Sequence, residues 1–418
     1  MNDKTNLASI ITIGDELLIG QTIDTNSAWM AQKLNAIGIW VHRRVAVGDG
    51  WDDIWTSLNE ESAHSSIILI TGGLGPTADD ITKPLLCSYF GGSMITDPGA
   101  LANVKHIFEI VLKRPMLDRN LRQADVPDVC TVIQNSRGTA PGMWFEKNGV
   151  IFVSMPGVPH EMKGMMEKDV LPSLQSRFQL PPVHHRTLLT AGIGESFLAE
   201  RIKDFESALP ENIKLAYLPN YGMVRLRLTG RGNDPDLDGE VDRQFQQLKD
   251  QVADVLVIDS DRTMQDVVGG LLREKKWTLA TAESCTGGYL AHLLTSIPGS
   301  SDYYLGGVVS YANSVKTGML GVASELISTH GAVSRETVEQ MAIGVMRKLG
   351  ADLAISTSGI MGPGGGSTEK PVGTVWIAVA YHDKVASQHF SFRFNRERNI
   401  ELTAQNGLNM LRKMILSA

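Results

Sequence analysis

Residues Ser66-Ile67-Ile68-Leu69-Ile70 run directly into Thr71-Gly72-Gly73-Leu74-Gly75-Pro76-Thr77, and few chain organisations accommodate such a junction. A short run whose centre is wholly apolar has no face for water, so it reads as a buried parallel strand covered on both sides. The glycines that follow mark a turn at the strand's C-terminal end, with a helix expected from about Ala78. In open α/β sheets this is the end at which ligands bind. The same alternation fills residues 8–170. Strands are expected at Ser9–Ile13 and Trp40–Val47, and a helix over Asn26–Ile37, where Trp29, Met30, Leu34 and Ile37 have helical spacing. The expected fold is α/β, with an N-terminal doubly wound sheet.

The pattern then changes. Pro172, Pro181 and Pro182 punctuate the chain. Strands are expected at Thr187–Thr190, Ile213–Tyr217 and Met223–Thr229, with helices over Glu195–Phe205 and Leu237–Val252, giving a small α+β unit. The polar stretch Asp259-Ser260-Asp261-Arg262-Thr263 precedes a third region. There a helix over Met264–Lys275 leads to a strand at Trp277–Thr281, and further strands are expected at Leu305–Tyr311, Leu353–Ser356, Thr374–Ala380 and Ala386–Arg393. A helix spans Ser334–Leu349 and another closes the chain. We therefore expect domains over residues 1–170, 171–259 and 260–418, in keeping with a length of 418 residues.

The balance of 43% hydrophobic and 20% charged residues is that of a globular protein. A net charge of −7 argues against sequence-independent nucleic-acid binding, which needs a basic surface to displace counterions. Three cysteines, Cys87, Cys130 and Cys285, are odd in number and far apart, so neither a disulfide framework nor a zinc cluster is expected. No apolar run approaches the roughly 20 residues of a membrane span, and a cytoplasmic protein is expected.

The richest chemistry lies in the third region. Ala282-Glu283-Ser284-Cys285-Thr286-Gly287-Gly288 sits at a strand-to-helix turn, where backbone N–H groups converge and the helix dipole favours negative charge. Ser310-Tyr311-Ala312-Asn313-Ser314-Val315-Lys316 forms a second such junction. A Ser–Lys pair performs acyl transfer without histidine, provided the lysine is largely neutral. Its ordinary pKa of about 10.4 leaves well under a percent neutral at pH 7, and burial lowers such a value by as much as about 3–5 units. Tyr311 is placed to relay the proton or to orient Lys316. A third loop, Ser356-Thr357-Ser358-Gly359-Ile360-Met361-Gly362-Pro363-Gly364-Gly365-Gly366, offers glycines and hydroxyls to phosphate or ribose. Taken singly, these residues have ordinary explanations: a turn, a solvated lysine, a small buried cysteine. Their joint placement at strand ends of one expected sheet is what favours a site.

In the first region, Gly72, Gly73, Gly75, Pro76 and Thr77 form a turn able to cradle phosphate, and Asp79 and Asp80 follow as acids able to hold a hard divalent cation. Helix-start acids stabilised by the dipole are the ordinary alternative for that pair. Asn26 and Ser27 read as helix caps, although Asn26 also falls within reach of a ligand. His160 reads as a surface residue at a helix start, with metal ligation as the alternative.

Ala282–Gly288, Tyr311–Lys316 and Ser358–Gly366, followed by Glu369-Lys370-Pro371-Val372-Gly373-Thr374-Val375-Trp376, closely resemble the C-terminal domain of the CinA family. That family resembles nicotinamide mononucleotide deamidases. The resemblance implies Ser284 as nucleophile, Lys316 as general base and Tyr311 as its helper. Glu283, Thr286, Gly287, Gly288, Asn313, Thr357, Ser358 and Gly359 are expected around the substrate, with no cofactor. The N-terminal glycine loop, Gly14–Gly20, Asn135–Gly142 and Met155–Met162 resemble the CinA N-terminal domain, which is similar to molybdopterin-binding domains. The resemblance implies hydrolysis of ADP-ribose to AMP and ribose 5-phosphate with a divalent metal (Mg, Mn or Co) at Asp79 and Asp80. Gly72, Gly73, Gly75, Pro76, Thr77 and Asn26 are expected at that substrate. The middle unit resembles the family's KH-like domain, but Gly192-Ile193-Gly194 is not a GxxG loop, so no RNA binding is inferred. A homodimer acting on small nucleotides is the implied assembly; no membrane partner is expected, and the net charge of −7 argues against nucleic acid. Two other readings remain: a pterin-binding protein without hydrolysis, and a competence accessory acting through protein or DNA partners.

Overall fold

The computed structural model describes residues 6–77, 80–178, 180 and 182–418. Ala78, Asp79 and Pro181 lie outside them, and with them the expected helix start and one expected metal ligand. The chain divides into two compact units, Met1–Val183 with Arg231–Asn233, and His184–Gly230 with Asp234–Ala418.

The first unit contains β1 (Leu7–Ile13), β2 (Trp40–Val47), β3 (Ile67–Thr71), β4 (Met94–Thr96), β5 (Asp125–Pro127), β6 (Thr131–Ile133), β7 (Gly142–Lys147) and β8 (Val150–Met155). The main sheet runs β2-β1-β3-β8-β7-β6, and β4 pairs separately with β5. β2, β1, β3 and β8 are parallel, while β7 and β6 add an antiparallel edge that the sequence reading did not anticipate. β3 is buried at every residue, as its composition requires. Its alternate side chains serve two cores: Ile67 and Leu69 pack with Met30 and Leu34, whereas Ile68 and Ile70 pack with Ile54, Leu58 and Leu85. The sheet is therefore covered on both faces, and each buried Ile or Leu contributes about 1.5–3 kcal/mol.

The glycine loop follows β3. Gly72 and Gly73 have φ of 117° and 64°. A Cβ at Gly72 would overlap the Ile13 carbonyl and one at Gly73 the Thr82 hydroxyl, so the close approach demands glycine. The helix after the loop starts at Thr82, later than expected. Asp80 is the reason: its carboxylate accepts from the Gly75 and Thr77 amides at 2.8 and 2.9 Å and closes the loop first.

In the second unit, β9 (Val183–Ala191), β10 (Ile213–Asn220), β11 (Met223–Arg231) and β12 (Leu256–Ile258) form an antiparallel sheet in the order β10-β11-β9-β12. The helix expected over Glu195–Phe205 is instead two, Glu195–Arg201 and Lys203–Ser207, because Ile202 leaves helical geometry (φ −105°, ψ 14°). The remaining strands are β13 (Leu279–Glu283), β14 (Tyr304–Val309), β15 (Leu353–Gly359), β16 (Thr374–Tyr381) and β17 (Lys384–Ser391), ordered β14-β13-β15-β16-β17. β14, β13 and β15 are adjacent and parallel. Leu279, Leu353 and Ile355 pack with Leu408 and Leu411 of the terminal helix Arg396–Ser417, whereas Ala280, Ala282 and Ala354 pack with Val338, Met341 and Val345 of helix Arg335–Leu349. All three polar segments singled out in the sequence thus emerge from one end of one sheet. No helix among the described residues is long and apolar enough to cross a membrane.

Candidate active site

Ser284 follows the last residue of β13, and its amide donates to the Thr357 carbonyl at 3.0 Å, anchoring it to β15. Lys316 is on helix Asn313–Leu320, the first element after β14. Its side chain turns inward and is 1% exposed. Nζ lies 3.1 Å from Ser284 Oγ, 2.7 Å from the Ser310 carbonyl and 3.2 Å from the Tyr311 carbonyl. Desolvation by burial pulls the Lys316 pKa down from its ordinary value of 10.5, opposed only by charge at Cys285. That opposition is absent near neutral pH, because burial pushes the Cys285 thiol up to about 12. A neutral amine has two N–H bonds for the two carbonyls, and its lone pair then faces the serine hydroxyl. Cys285, an uncharged thiol in this setting, is a packing residue.

Ser284, Tyr311, Asn313, Lys316, Ser358 and Gly359 line one cavity of about 200 Å³, together with Ala332, Val333 and Arg396. Several expected substrate contacts are placed otherwise. Glu283 is turned into the protein, where its carboxylate accepts from the Gly288, Leu290 and Ala291 amides at 3.0, 3.0 and 2.8 Å and from Thr286 Oγ1 at 2.7 Å. It fixes the Ser284 loop and the helix that follows it. Thr286 and Thr357 share a buried hydroxyl contact of 2.7 Å behind the loop. Gly287 and Gly288, with φ of 62° and 99°, turn the chain into that helix and do not line the cavity. Tyr311 holds Lys316 through its main-chain carbonyl, while its exposed phenol receives a 3.1 Å hydrogen bond from Arg396. The sequence reading missed Arg396, which opens the terminal helix and also donates to the Gly362 carbonyl at 3.0 Å. It brings the one cationic guanidinium among the residues lining this cavity.

In the first unit, Gly72, Gly73, Gly75, Pro76 and Asp80 line a cavity of about 460 Å³ at the C-terminal ends of the parallel strands, with Glu16, Asp49 and Glu161. Thr77 stands just beside it, bonded to Asp80 through both its amide and its hydroxyl. Asn26 donates to Thr71 Oγ1 at 3.3 Å and to the Gly157 carbonyl at 2.8 Å. Its buried Oδ1 has no hydrogen-bond partner among the described residues, and Asn26 borders a neighbouring cavity of about 120 Å³. Asp80 commits both oxygens to the loop. Among the described residues no group of three or more His, Cys, Asp or Glu side chains converges to hold a metal ion. The expected metal ligation at Asp80 is therefore not assembled by the described residues, and Asp79 lies outside them.

Comparison with known proteins follows this division of labour. The family described as the CinA C-terminal domain matches residues 261–415, the probable molybdopterin binding domain matches residues 9–176, and the damage-inducible protein CinA KH domain matches residues 185–257. A CinA-like protein of Cytophaga hutchinsonii is 48% identical over 98% of both chains. The chain belongs to the CinA family. A second CinA-like protein, from Flavobacterium psychrophilum, is 45% identical over 98% of each chain. Among solved structures, the competence/damage inducible protein CihA from Agrobacterium tumefaciens is 38% identical, with 36% of this chain and 93% of that one covered at a TM-score of 0.36. The architecture is thus a molybdopterin-binding-like domain, a KH-like domain and a CinA C-terminal domain in sequence.

Proposed function

We propose that the C-terminal domain is a serine amidohydrolase that converts the carboxamide of nicotinamide mononucleotide to nicotinate mononucleotide and ammonia. The observation that carries this reading is the buried Lys316 amine, 3.1 Å from Ser284 Oγ and held by two carbonyls. Ser284 Oγ attacks the carboxamide carbon as Lys316 takes its proton. Lys316 then returns that proton to the departing nitrogen, and ammonia leaves an acyl ester on Ser284. Water, deprotonated by the same amine, attacks the ester, and Lys316 gives that proton to Ser284 Oγ as the C–O bond breaks and the carboxylate leaves. Asn313 offers an amide donor to the carboxamide oxygen. A cavity of about 200 Å³ is below the usual range of about 300–1,000 Å³ for whole ligands. It accommodates the pyridine ring and leaves ribose and phosphate toward the Arg396 guanidinium. The resemblance of the three loops to the CinA family supports the substrate. The test is ammonia release from nicotinamide mononucleotide by the purified protein, with Ser284→Ala and Lys316→Ala beside it. Unchanged turnover in either variant overturns the mechanism.

For the N-terminal domain we infer hydrolysis of ADP-ribose to AMP and ribose 5-phosphate. A glycine loop at strand ends, opening on a cavity of about 460 Å³, favours a phosphate-bearing ligand. Among the described residues, four carboxylates and no lysine or arginine line that cavity. A diphosphate there needs a divalent cation, Mg, Mn or Co, to offset the repulsion. Product analysis with ADP-ribose, with and without each metal, tests the reading. Tight molybdopterin binding without ADP-ribose cleavage would favour the pterin-binding alternative.

A further inference from the structure

Glu161 has no part in the chemistry assigned so far, yet it lines the N-terminal cavity beside the glycine loop. It lies in the first turn of helix Pro159–Met165, just after β8. One carboxylate oxygen, Oε2, accepts from Asn135 Nδ2 at 2.7 Å. Asn135 is buried and doubly fixed, donating to the Ala140 carbonyl at 2.9 Å and accepting from the Arg137 amide at 3.0 Å. A Cβ at Gly138 would overlap the Glu161 carboxylate, so the loop is shaped around this side chain. No cation forms an ion pair with Glu161 among the described residues, because the Arg137 guanidinium donates to the His160 carbonyl instead. Burial raises the Glu161 pKa above the ordinary carboxyl value, partly offset by the Asn135 hydrogen bond and by His160.

Two other acids of the cavity are bonded to the backbone: Asp80 closes the glycine loop and Asp49 accepts from the Asp15 amide at 3.1 Å, while the Glu16 carboxylate lies against Gly14. Glu161 is held at one oxygen by the side-chain amide of a buried residue, Asn135, which leaves its Oε1 for a proton. We propose that Glu161 is the general base of the N-terminal hydrolase, deprotonating the water that attacks the diphosphate. The proposal rests on the ADP-ribose reading of this domain. In the step, the water oxygen bonds to one phosphorus and its proton passes to Glu161. The bridging P–O bond breaks, its electron pair stays on the departing phosphate oxygen, and Glu161 then gives its proton to solvent.

The test compares the full-length wild type with Glu161→Gln and Glu161→Asp. Glutamine still accepts from Asn135 and keeps the loop lock, but it cannot take a proton. Calorimetry with ADP-ribose should show affinity in Glu161→Gln within a few-fold of wild type, while kcat falls by about 100-fold or more, as for loss of a general base. Glu161→Asp should recover part of that rate. Wild-type kcat in Glu161→Gln, or a loss confined to affinity, overturns the proposal and leaves the ADP-ribose reading standing. A wild type that binds ADP-ribose and never cleaves it with any of the metals overturns both.

Discussion

A lysine amine becomes a base near neutral pH only where water is kept from it and no carboxylate stabilises its charge. Lys316 meets both conditions, with desolvation as the leading cause of its lowered pKa. The sign of the pH dependence follows. Protonated Lys316 is inactive, so kcat/KM for ammonia release should rise with pH through a pKa below the ordinary 10.5 and then level. A rate flat from mildly acidic to alkaline pH would remove Lys316 as the base. Lys316→Arg, which cannot lose its proton, should lose about 100-fold or more in kcat. The Ser–Lys pairing was legible because both residues sit in compact motifs at strand ends. The direction of Glu283 was not. An acid beside a nucleophile on a glycine loop reads as facing the ligand, but the positive φ values at Gly287 and Gly288 bring the following helix amides back onto it. Glu283→Gln would set an NH2 group against those donors. We expect a loss of about 1–3 kcal/mol in stability and a lower kcat, read by thermal melting and by steady-state kinetics.

Placement of each loop is decided by elements that bear no chemistry. Helix Asn313–Leu320 carries Lys316, and it is packed against helix Arg335–Leu349 at a point where a Cβ on Gly344 would overlap the Leu320 carbonyl oxygen. Gly344→Ala should push these helices apart at a cost of about 1–3 kcal/mol. It should also lower kcat more than it raises KM, because the amine and the hydroxyl separate while the cavity walls persist. A variant with wild-type melting temperature and kcat would show that this contact does not set the site. The central strand β3 was readable from its continuous apolar run, since its alternate side chains feed opposite cores, whereas the antiparallel edge of β7 and β6 was not read. Arg396 was not readable: it follows a hairpin far along the chain from Ser284, and its only local signal is the start of a helix capped by Asn395. The helix start at Thr82 was also hidden, because it depends on Asp80 bonding backwards to Gly75 and Thr77.

The two cavities belong to different compact units, each with its own hydrophobic clusters. At the scale of the chain the sequence reading expected three domains, over residues 1–170, 171–259 and 260–418, with the two candidate sites in the first and the third, because those regions carry the strand-to-glycine-loop junctions. It did not announce that the two sites differ in charge. Among the described residues, the N-terminal cavity is lined by carboxylates without a lysine or arginine, whereas the C-terminal one has Lys316 and Arg396 and no carboxylate. That difference separates their dependence on metal. The proposed deamidation moves its protons between Ser284, Lys316 and water, all supplied by the chain and solvent. Chelation with EDTA should therefore leave ammonia release within about twofold of its untreated rate, since no step calls on a cation. ADP-ribose cleavage should fall to background in the same sample and return on adding metal, because an anionic wall repels a bare diphosphate. Ser284→Ala should abolish ammonia release while ADP-ribose cleavage continues, as expected for sites without shared partners. If EDTA stopped ammonia release and metal restored it, the Ser–Lys account of the C-terminal domain would fail, whatever the N-terminal domain did.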